Sequence, residues 1–432
     1  MKLKLLAIFL FQFNLYAFSQ SLDSLLNEAL FKNPILRSSQ LIVEAKKNKV
    51  IQSSALPSPV LSFEINQFNF DRANILGNSL SNTISLSQMI PLGGKINAMQ
   101  RVSMSELLLS RNKLDEIQND LLTKIKVKYF ELWKLENEIM IQKENQEELR
   151  GLQNSLDLLY QINRTNQSDL ILIQSEIAKG EVELINLERK RNSLIKEINF
   201  LIGRENLEQE IFTDKKIKLP AINFTIEQFD SLIFSLNPEL KSMQSMIEMN
   251  KNEIKATEKE LIPDLMISGM IMRMPKGMIL TTKYPLPMNG NREEIMFGLM
   301  TSINLPFAPW SKKKFIYKIE ELENTIKSIE YEKTNMINQM RKEVQNLLLT
   351  INSNKDLIQL YEQKVIPSYD NVFNAQLIEF ETGRVSINSI IEINRMRLME
   401  KMKYYMLVSE YLMSFAELEK ITGQNLHKEN LR

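Results

Sequence analysis

Apolar positions change period along the chain in a fixed order, and that order occurs twice. Asn33 to Leu56 carry a charged, helical pattern, followed by two segments of period two, Val60 to Phe68 and Leu80 to Ile90. The same pair of segments returns at Leu265 to Met272 and Ile295 to Leu305. In the last of them Ile295, Phe297, Leu299, Ile303 and Leu305 fall on one side, with Gly298, Ser302 and Asn304 on the other. That alternation predicts a strand with one apolar and one polar face. Pro57 and Pro263 stand just before the first strand of each pair, where a helix has to stop.

After the second strand each copy turns helical again and stays so to its end. Phe315, Ile319, Leu322, Ile326 and Ile329 step by four, three, four and three; Met336 and Met340 follow after the polar Lys333. The stripe resumes at Val344, Leu347, Ile351 and Ile358. This is a seven-residue repeat with one extra four-residue step, the pattern of coiled-coil packing with a stutter. Lys313 to Val365 contain neither Gly nor Pro, so at 1.5 Å per residue a helix of about 80 Å is expected. A break is expected at Ile366-Pro367-Ser368, and Tyr404, Val408, Tyr411, Phe415 and Leu418 carry a returning stripe. The first copy reads the same way from about Ile96 to Leu201.

Residue identities show the duplication directly. Asn33-Pro34-Ile35-Leu36 recurs as Asn237-Pro238-Glu239-Leu240, and Glu44, Lys47, Asn48 and Val50 meet Glu248, Lys251, Asn252 and Ile254. Pro57 to Ser62 matches Pro263 to Ser268, and Tyr160-Gln-Ile-Asn163-Arg164 matches Phe380-Glu-Thr-Gly383-Arg384. The expected division is a signal peptide (1–19), a first structural repeat (20–203), a linker (204–224), a second repeat (225–423) and a polar tail (424–432). Lys2 and Lys4 before the apolar run Leu5 to Leu10, then Ala17-Phe18-Ser19, carry the signal reading. A buried first helix is the competing one.

Composition narrows the classes. Gly (12) and Pro (13) make up about 6% of 432 residues, half the roughly 12% of average proteins, as expected where long helices dominate. Beyond the signal no stretch reads as a membrane helix, since the apolar region Leu261 to Leu280 is broken by Asp264, Arg273 and Lys276. A net charge of +1 gives no electrostatic case for nucleic acid. There is no Cys and one His, His427 in the polar tail. Thiol nucleophiles, Cys-based zinc sites and His-dependent triads are thereby disfavoured, no lipid-anchored form is expected, and no enzymatic role is read.

Each strand segment is about nine to eleven residues long, enough to cross a bilayer at a tilt. Four strands cannot close a barrel, so a membrane reading requires oligomerisation; three chains would supply twelve. A soluble four-stranded sheet capping a coiled-coil rod fits the periodicity equally well.

The motifs favour one of these. The helix opening Glu28-Ala-Leu-Phe-Lys-Asn33-Pro34, its partner Asn237-Pro238-Glu239-Leu240, the strand entries Leu56-Pro57 and Ile262-Pro263-Asp264, and the turn Gln88-Met-Ile-Pro91-Leu-Gly-Gly-Lys95 form a set. Phe380-Glu-Thr-Gly383-Arg384-Val-Ser386 and the closures Leu201-Ile-Gly203 and Ile421-Thr-Gly423 complete it. Along nearly the whole mature length the chain resembles the TolC-type outer-membrane efflux channels. The resemblance implies a mainly α fold with a small β part, in which each subunit of a homotrimer gives four strands to one 12-stranded barrel and its long helices to a periplasmic α-barrel. It implies a passive, cofactor-free exit duct of a tripartite pump, working with a periplasmic adaptor (membrane fusion protein), an inner-membrane pump of the RND type and outer-membrane lipid. A multidrug or type I secretion duct of the same family is the alternative, and a periplasmic adaptor or tether the remoter one.

Two groups of residues are candidate functional positions. Asn163 and Gly383 tolerate positive φ, as a tight turn between helices requires. Their neighbours Arg164, Thr165 and Asn166, and Arg384, Val385 and Ser386, would stand at the periplasmic tip, gating the tunnel or touching the adaptor. Second, Met266, Met270, Met272, Met274, Met278, Met288, Met296 and Met300 crowd one region. Thioether sulfur suits Cu(I) or Ag(I), which points to a heavy-metal branch; Met270, Met272, Met274 and Met278 are the candidate ligands. Met as a flexible space-filling hydrophobe is the plainer reading. Trp310 and Tyr317 suit an interfacial belt, and Trp310 suits a core position as well.

Overall fold

The computed structural model describes residues 21–68, 73–77, 79–222, 224–276, 292–424 and 426. The segment 1–19 expected to be a signal peptide, His427, Met278 and Met288 lie outside the described residues. The chain divides into two compact units, one from residues 39–114 and 239–336, the other from residues up to 38, 115–238 and 337 onward. Each unit thus draws on both halves of the duplicated sequence.

The first of these units carries the sheet. Strands β1 (Val60–Phe68), β2 (Ser79–Pro91), β3 (Asp264–Met274) and β4 (Glu294–Ile303) form one antiparallel sheet in the order β1-β2-β3-β4. Two hairpins from distant parts of the sequence are joined along β2 and β3, for instance at Ile84 opposite Ile271. Register puts Leu61, Phe63, Ile84, Leu86, Ile267, Ile271, Phe297 and Leu299 on one face. This face is bare: Phe297 is 81% and Leu299 77% exposed. Opposite it lie Ser62, Glu64, Thr83, Ser85, Ser87 and Ser268, and Ser87 and Ser268 hydroxyls bond each other across the strands at 2.7 Å.

Below the sheet the unit holds the helices α2 (Pro34–Gln52) and α6 (Pro238–Lys259) and the near ends of α3 (Lys95–Gln161) and α7 (Pro309–Leu360). Lys46 and Lys49 of α2 both reach Glu106 of α3 at 2.8 Å. The turn from β2 into α3 explains its own sequence. Gly93, at φ +68°, leaves no space for a Cβ, which would sit 2.3 Å from the Ile262 side chain. Lys95, 8% exposed, pairs with Asp264 at 2.7 Å, and Asp264 in turn takes the Asn304 amide at 2.9 Å. Gly93, Lys95, Ile262 and Asp264 are therefore one joint between strand ends and helix starts.

The other unit is helical: α1 (Leu22–Lys32), the rest of α3, α4 (Gln167–Ile202), α5 (Ile226–Leu236), the rest of α7, α8 (Ile366–Glu381) and α9 (Ile387–Thr422). The predicted stripe of α7 is inward, with Val344, Ile351 and Ile358 buried. The interruption expected at Ile366 to Ser368 takes a milder form. A π turn, Tyr361–Val365, carries the helix into α8, and Pro367, which has no N–H to give to the preceding turn, sits in the first turn of α8. In α3 the run from Lys95 to Gln161 has no such interruption. Among the described residues no helix is long and apolar enough to cross a membrane.

Duplicated motifs meet in duplicated joints. The Asn33 side chain donates to the Leu201 carbonyl at 2.7 Å, and that of Asn237 donates to the Ile421 carbonyl at 2.8 Å. Gly203 and Gly423 close α4 and α9 at φ +88° and +70°. A Cβ on either would lie 2.8 Å or 2.7 Å from the backbone oxygen of Lys32 or Leu236. The Asn-Pro and Ile-Gly or Thr-Gly pairs thus lock a short helix end against a long helix end, once per repeat. In the first copy Arg204 adds an ion pair, with its guanidinium bidentate on Glu28. That hydrogen bonding holds the Glu28 carboxyl well down, to about 2.

Candidate functional site

Two hairpin turns of the helical unit carry the predicted tip residues. In the first, Asn163 adopts φ +58° and its N–H donates to Tyr160, while the Arg164 N–H reaches back to Leu159 at 2.9 Å. In the second, Gly383 adopts φ +75°, its N–H donates to Phe380, and the Arg384 N–H reaches Glu379 at 2.9 Å. These are the same left-handed helix closure, which satisfies the last carbonyls of α3 and α8. α4 and α9 then start after Asn166 and Ser386. Thr165 donates to Asp169 at 2.7 Å, an extra fastening that Val385 in the second turn cannot make.

Arg164 and Arg384 are exposed, and among the described residues neither forms an ion pair. Two free cations at equivalent turns can meet anionic or carbonyl partners outside the chain. The turns stand on a shared core: Leu149, Leu152 and Leu156 of α3, Ile173 and Ile177 of α4, Phe373 of α8, and Ile387, Ile390 and Ile391 of α9. The tips are therefore held by buried packing, which fixes where the two arginines are presented.

Beneath this core is a polar network that the sequence did not reveal. The Arg397 guanidinium, 7% exposed, lies 3.8 Å from the centre of the Phe373 ring. It also pairs with Glu148 and donates to Asn394 at 3.0 Å, and Asn394 donates to Asn145 at 2.6 Å. Beside it a groove of about 690 Å³ runs between α3 and α8, lined by Leu152, Leu158, Phe373 and Phe380 among others. Arg395 binds Glu176 across α9 and α4 and keeps that carboxyl below its usual range. No signal short of the fold could have found Arg397, since its partners other than Asn394 lie on other helices, at residues 148 and 373.

The methionines are sorted by the sheet. Met270, Met272 and Met274 occupy alternate positions of β3, on the face of Ser85 and Ser268 and away from the bare apolar face. Trp310 and Tyr317 are 84% and 63% exposed, so Trp310 takes no core position within the chain. Among the described residues no cluster of His, Cys, Asp and Glu is arranged to hold a metal ion.

No family model matches the chain. The curated toxin and drug export protein A of Aggregatibacter actinomycetemcomitans is 20% identical over 242 residues. That match covers 50% of each protein, so the aligned part spans about half the length of the relative. Solved structures match along almost the whole chain. The transmembrane channel CusC has a TM-score of 0.74 at 15% identity, covering 94% of this chain and 93% of its own. The Campylobacter jejuni CmeC outer-membrane channel has a TM-score of 0.73 at 13% identity, with 95% and 88% covered. The open-state Neisseria gonorrhoeae MtrE channel has 0.74 at 14%, with 94% and 90% covered.

The fold is that of the TolC-type outer-membrane channels. At such low identities the likeness rests on architecture.

Proposed function

We propose that the chain is one subunit of a homotrimeric outer-membrane exit duct, which passively conducts substrates driven out by an inner-membrane transporter through a periplasmic adaptor. In this reading residues 20–203 and 225–423 are the two structural repeats of the subunit, joined by 204–224. The observation that carries it is the sheet: an exposed apolar face backed by a polar one, with β1 and β4 as edges that have no further strand partner among the described residues. Water disfavours both a contiguous bare apolar face and a pair of open edges. Lipid against the first and neighbouring copies along the second remove both costs. The fold likeness to outer-membrane channels supports the same reading.

Fractionation tests it. The protein should sediment with outer membranes and leave detergent as a trimer; recovery as a soluble monomer would end the proposal. At the tips, Arg384→Glu is expected to change single-channel conductance or the capture of the adaptor, and unchanged values for both would remove Arg384 from the gate. The named relative, a toxin and drug export protein, favours the multidrug or type I secretion alternative. The methionines favour heavy-metal cations such as copper or silver. Growth of a deletion strain against silver and copper salts beside dyes and bile-type detergents separates the two.

A further inference from the structure

The sheet contains seven methionines: Met89 in β2, Met266, Met270, Met272 and Met274 in β3, and Met296 and Met300 in β4. All seven fall on one face. The register sets Met89 opposite Met266 and Met272 opposite Met296, and seats Met270 opposite Gly298 and Met300 opposite Ser268. The Met270 thioether leans across that glycine, its Sδ 3.2 Å from where a Cβ on Gly298 would stand. The same face carries Ser62, Glu64, Thr83, Ser85, Ser87 and Glu294, while the other is mostly Ile, Leu and Phe, with Asn82, Gln88, Arg273 and Thr301 towards its margins and no Met.

Methionine used as a mere hydrophobe would go where hydrophobes go. Here it is absent from the apolar face and stands instead among hydroxyls and carboxylates, where Met266, Met296 and Met300 remain 38%, 42% and 48% exposed. Opposite residues of an antiparallel pair hold their Cβ atoms about 5 Å apart and diagonal ones about 7–8 Å. Two-bond arms then let neighbouring sulfurs converge on one ion. Thioethers are soft donors that prefer Cu(I) and related cations over hard ones.

We propose that this face is a thioether-lined binding surface for soft monovalent cations, Cu(I) or Ag(I), with Met270, Met272 and Met296 at its centre and Met89, Met266, Met300 and Met274 extending it along the strands. Its cargo role rests on the duct reading, in which the polar face lines the lumen; binding itself does not.

The test is a calorimetric titration of the full chain, purified in detergent, with silver nitrate. Three proteins are compared: the unaltered chain, the triple variant Met270→Leu, Met272→Leu, Met296→Leu, and a control with Met396→Leu, Met399→Leu and Met406→Leu in α9. Leucine keeps volume and apolarity, so folding should survive. The sheet triple is expected to weaken tight Ag(I) binding at least tenfold or to lose one or more equivalents per chain, with the control unchanged. Should the triple fail to fold, Met296→Leu alone, on the edge strand, is expected to lose at least threefold. Binding equal to the unaltered chain, or equal losses in both triples, overturns the proposal. Potassium nitrate conductance in planar bilayers is recorded separately: its absence from the unaltered chain would end the duct reading, while the silver titration would still decide the site.

Discussion

Glycine positions that look alike in the sequence differ once their neighbours are known. Gly203, Gly423 and Gly383 all close helices at positive φ, yet a Cβ at Gly383 meets nothing within 4 Å. Gly383→Ala should therefore cost about 1–2 kcal/mol, the left-handed backbone alone. Gly203→Ala must also displace the Lys32–Asn33 backbone and is expected to cost on the order of 1–3 kcal/mol more; a thermal melt of the two variants ranks them, and equal losses would remove the joint as a constraint. Glu28 offers a second test at this scale. Its carboxyl is held from 4.5 down to about 2, so the pair with Arg204 stabilises fully above pH 4.5 and is lost as pH falls towards 2. After allowance for solvent screening the effect is about 1–2 kcal/mol. Glu28→Gln should lower the melting temperature at pH 7, and the gap to the unaltered chain should narrow below pH 4.5 and be nearly closed at about pH 2.

Elements were legible wherever the periodicity was strong. Val60 to Phe68 and Ile295 to Leu305 alternate over most of their length, and the structure places strands there; the stripe at Val344, Ile351 and Ile358 is buried as expected. What the sequence could not show was how distant pieces meet. Asn33 and Leu201 are 168 residues apart, and the pairing of β2 with β3 is what brings Met89 onto the face of Met266. The π turn at Tyr361 left no local mark except Pro367 beyond it, which a break would equally have explained. The faces give a prediction at this scale. Leu299→Arg, on the bare face, should cost about 2–4 kcal/mol per chain in a bilayer and sharply reduce the folded trimer recovered from membranes. Ser85→Arg, on the opposite face, should leave assembly nearly intact. Equal yields from the two would contradict the assignment of the apolar face to lipid.

At the scale of the whole molecule the decisive unknown is what covers the edges of β1 and β4. Among the described residues β1 pairs only with β2 and β4 only with β3. In a closed barrel of three chains β4 of one copy must lie antiparallel to β1 of the next, with like faces aligned. The sequence contains no cysteine, so a pair introduced by substitution is the sole route to a disulfide. Ser62→Cys in β1 can be combined in turn with Gly298→Cys, Met300→Cys and Ser302→Cys in β4, all on the polar face. One of these registers should bring the two sulfurs within bonding reach, which requires Cα atoms no more than about 7 Å apart. Oxidation in membranes should then give covalent dimers and trimers on a denaturing gel, with nothing larger, because three junctions close the ring. Thr301→Cys, on the apolar face, should give none with Ser62→Cys. Bands beyond the trimer would mean an open, non-closing contact, and no cross-link in any register would mean that β1 and β4 are covered by something other than a second copy of this chain.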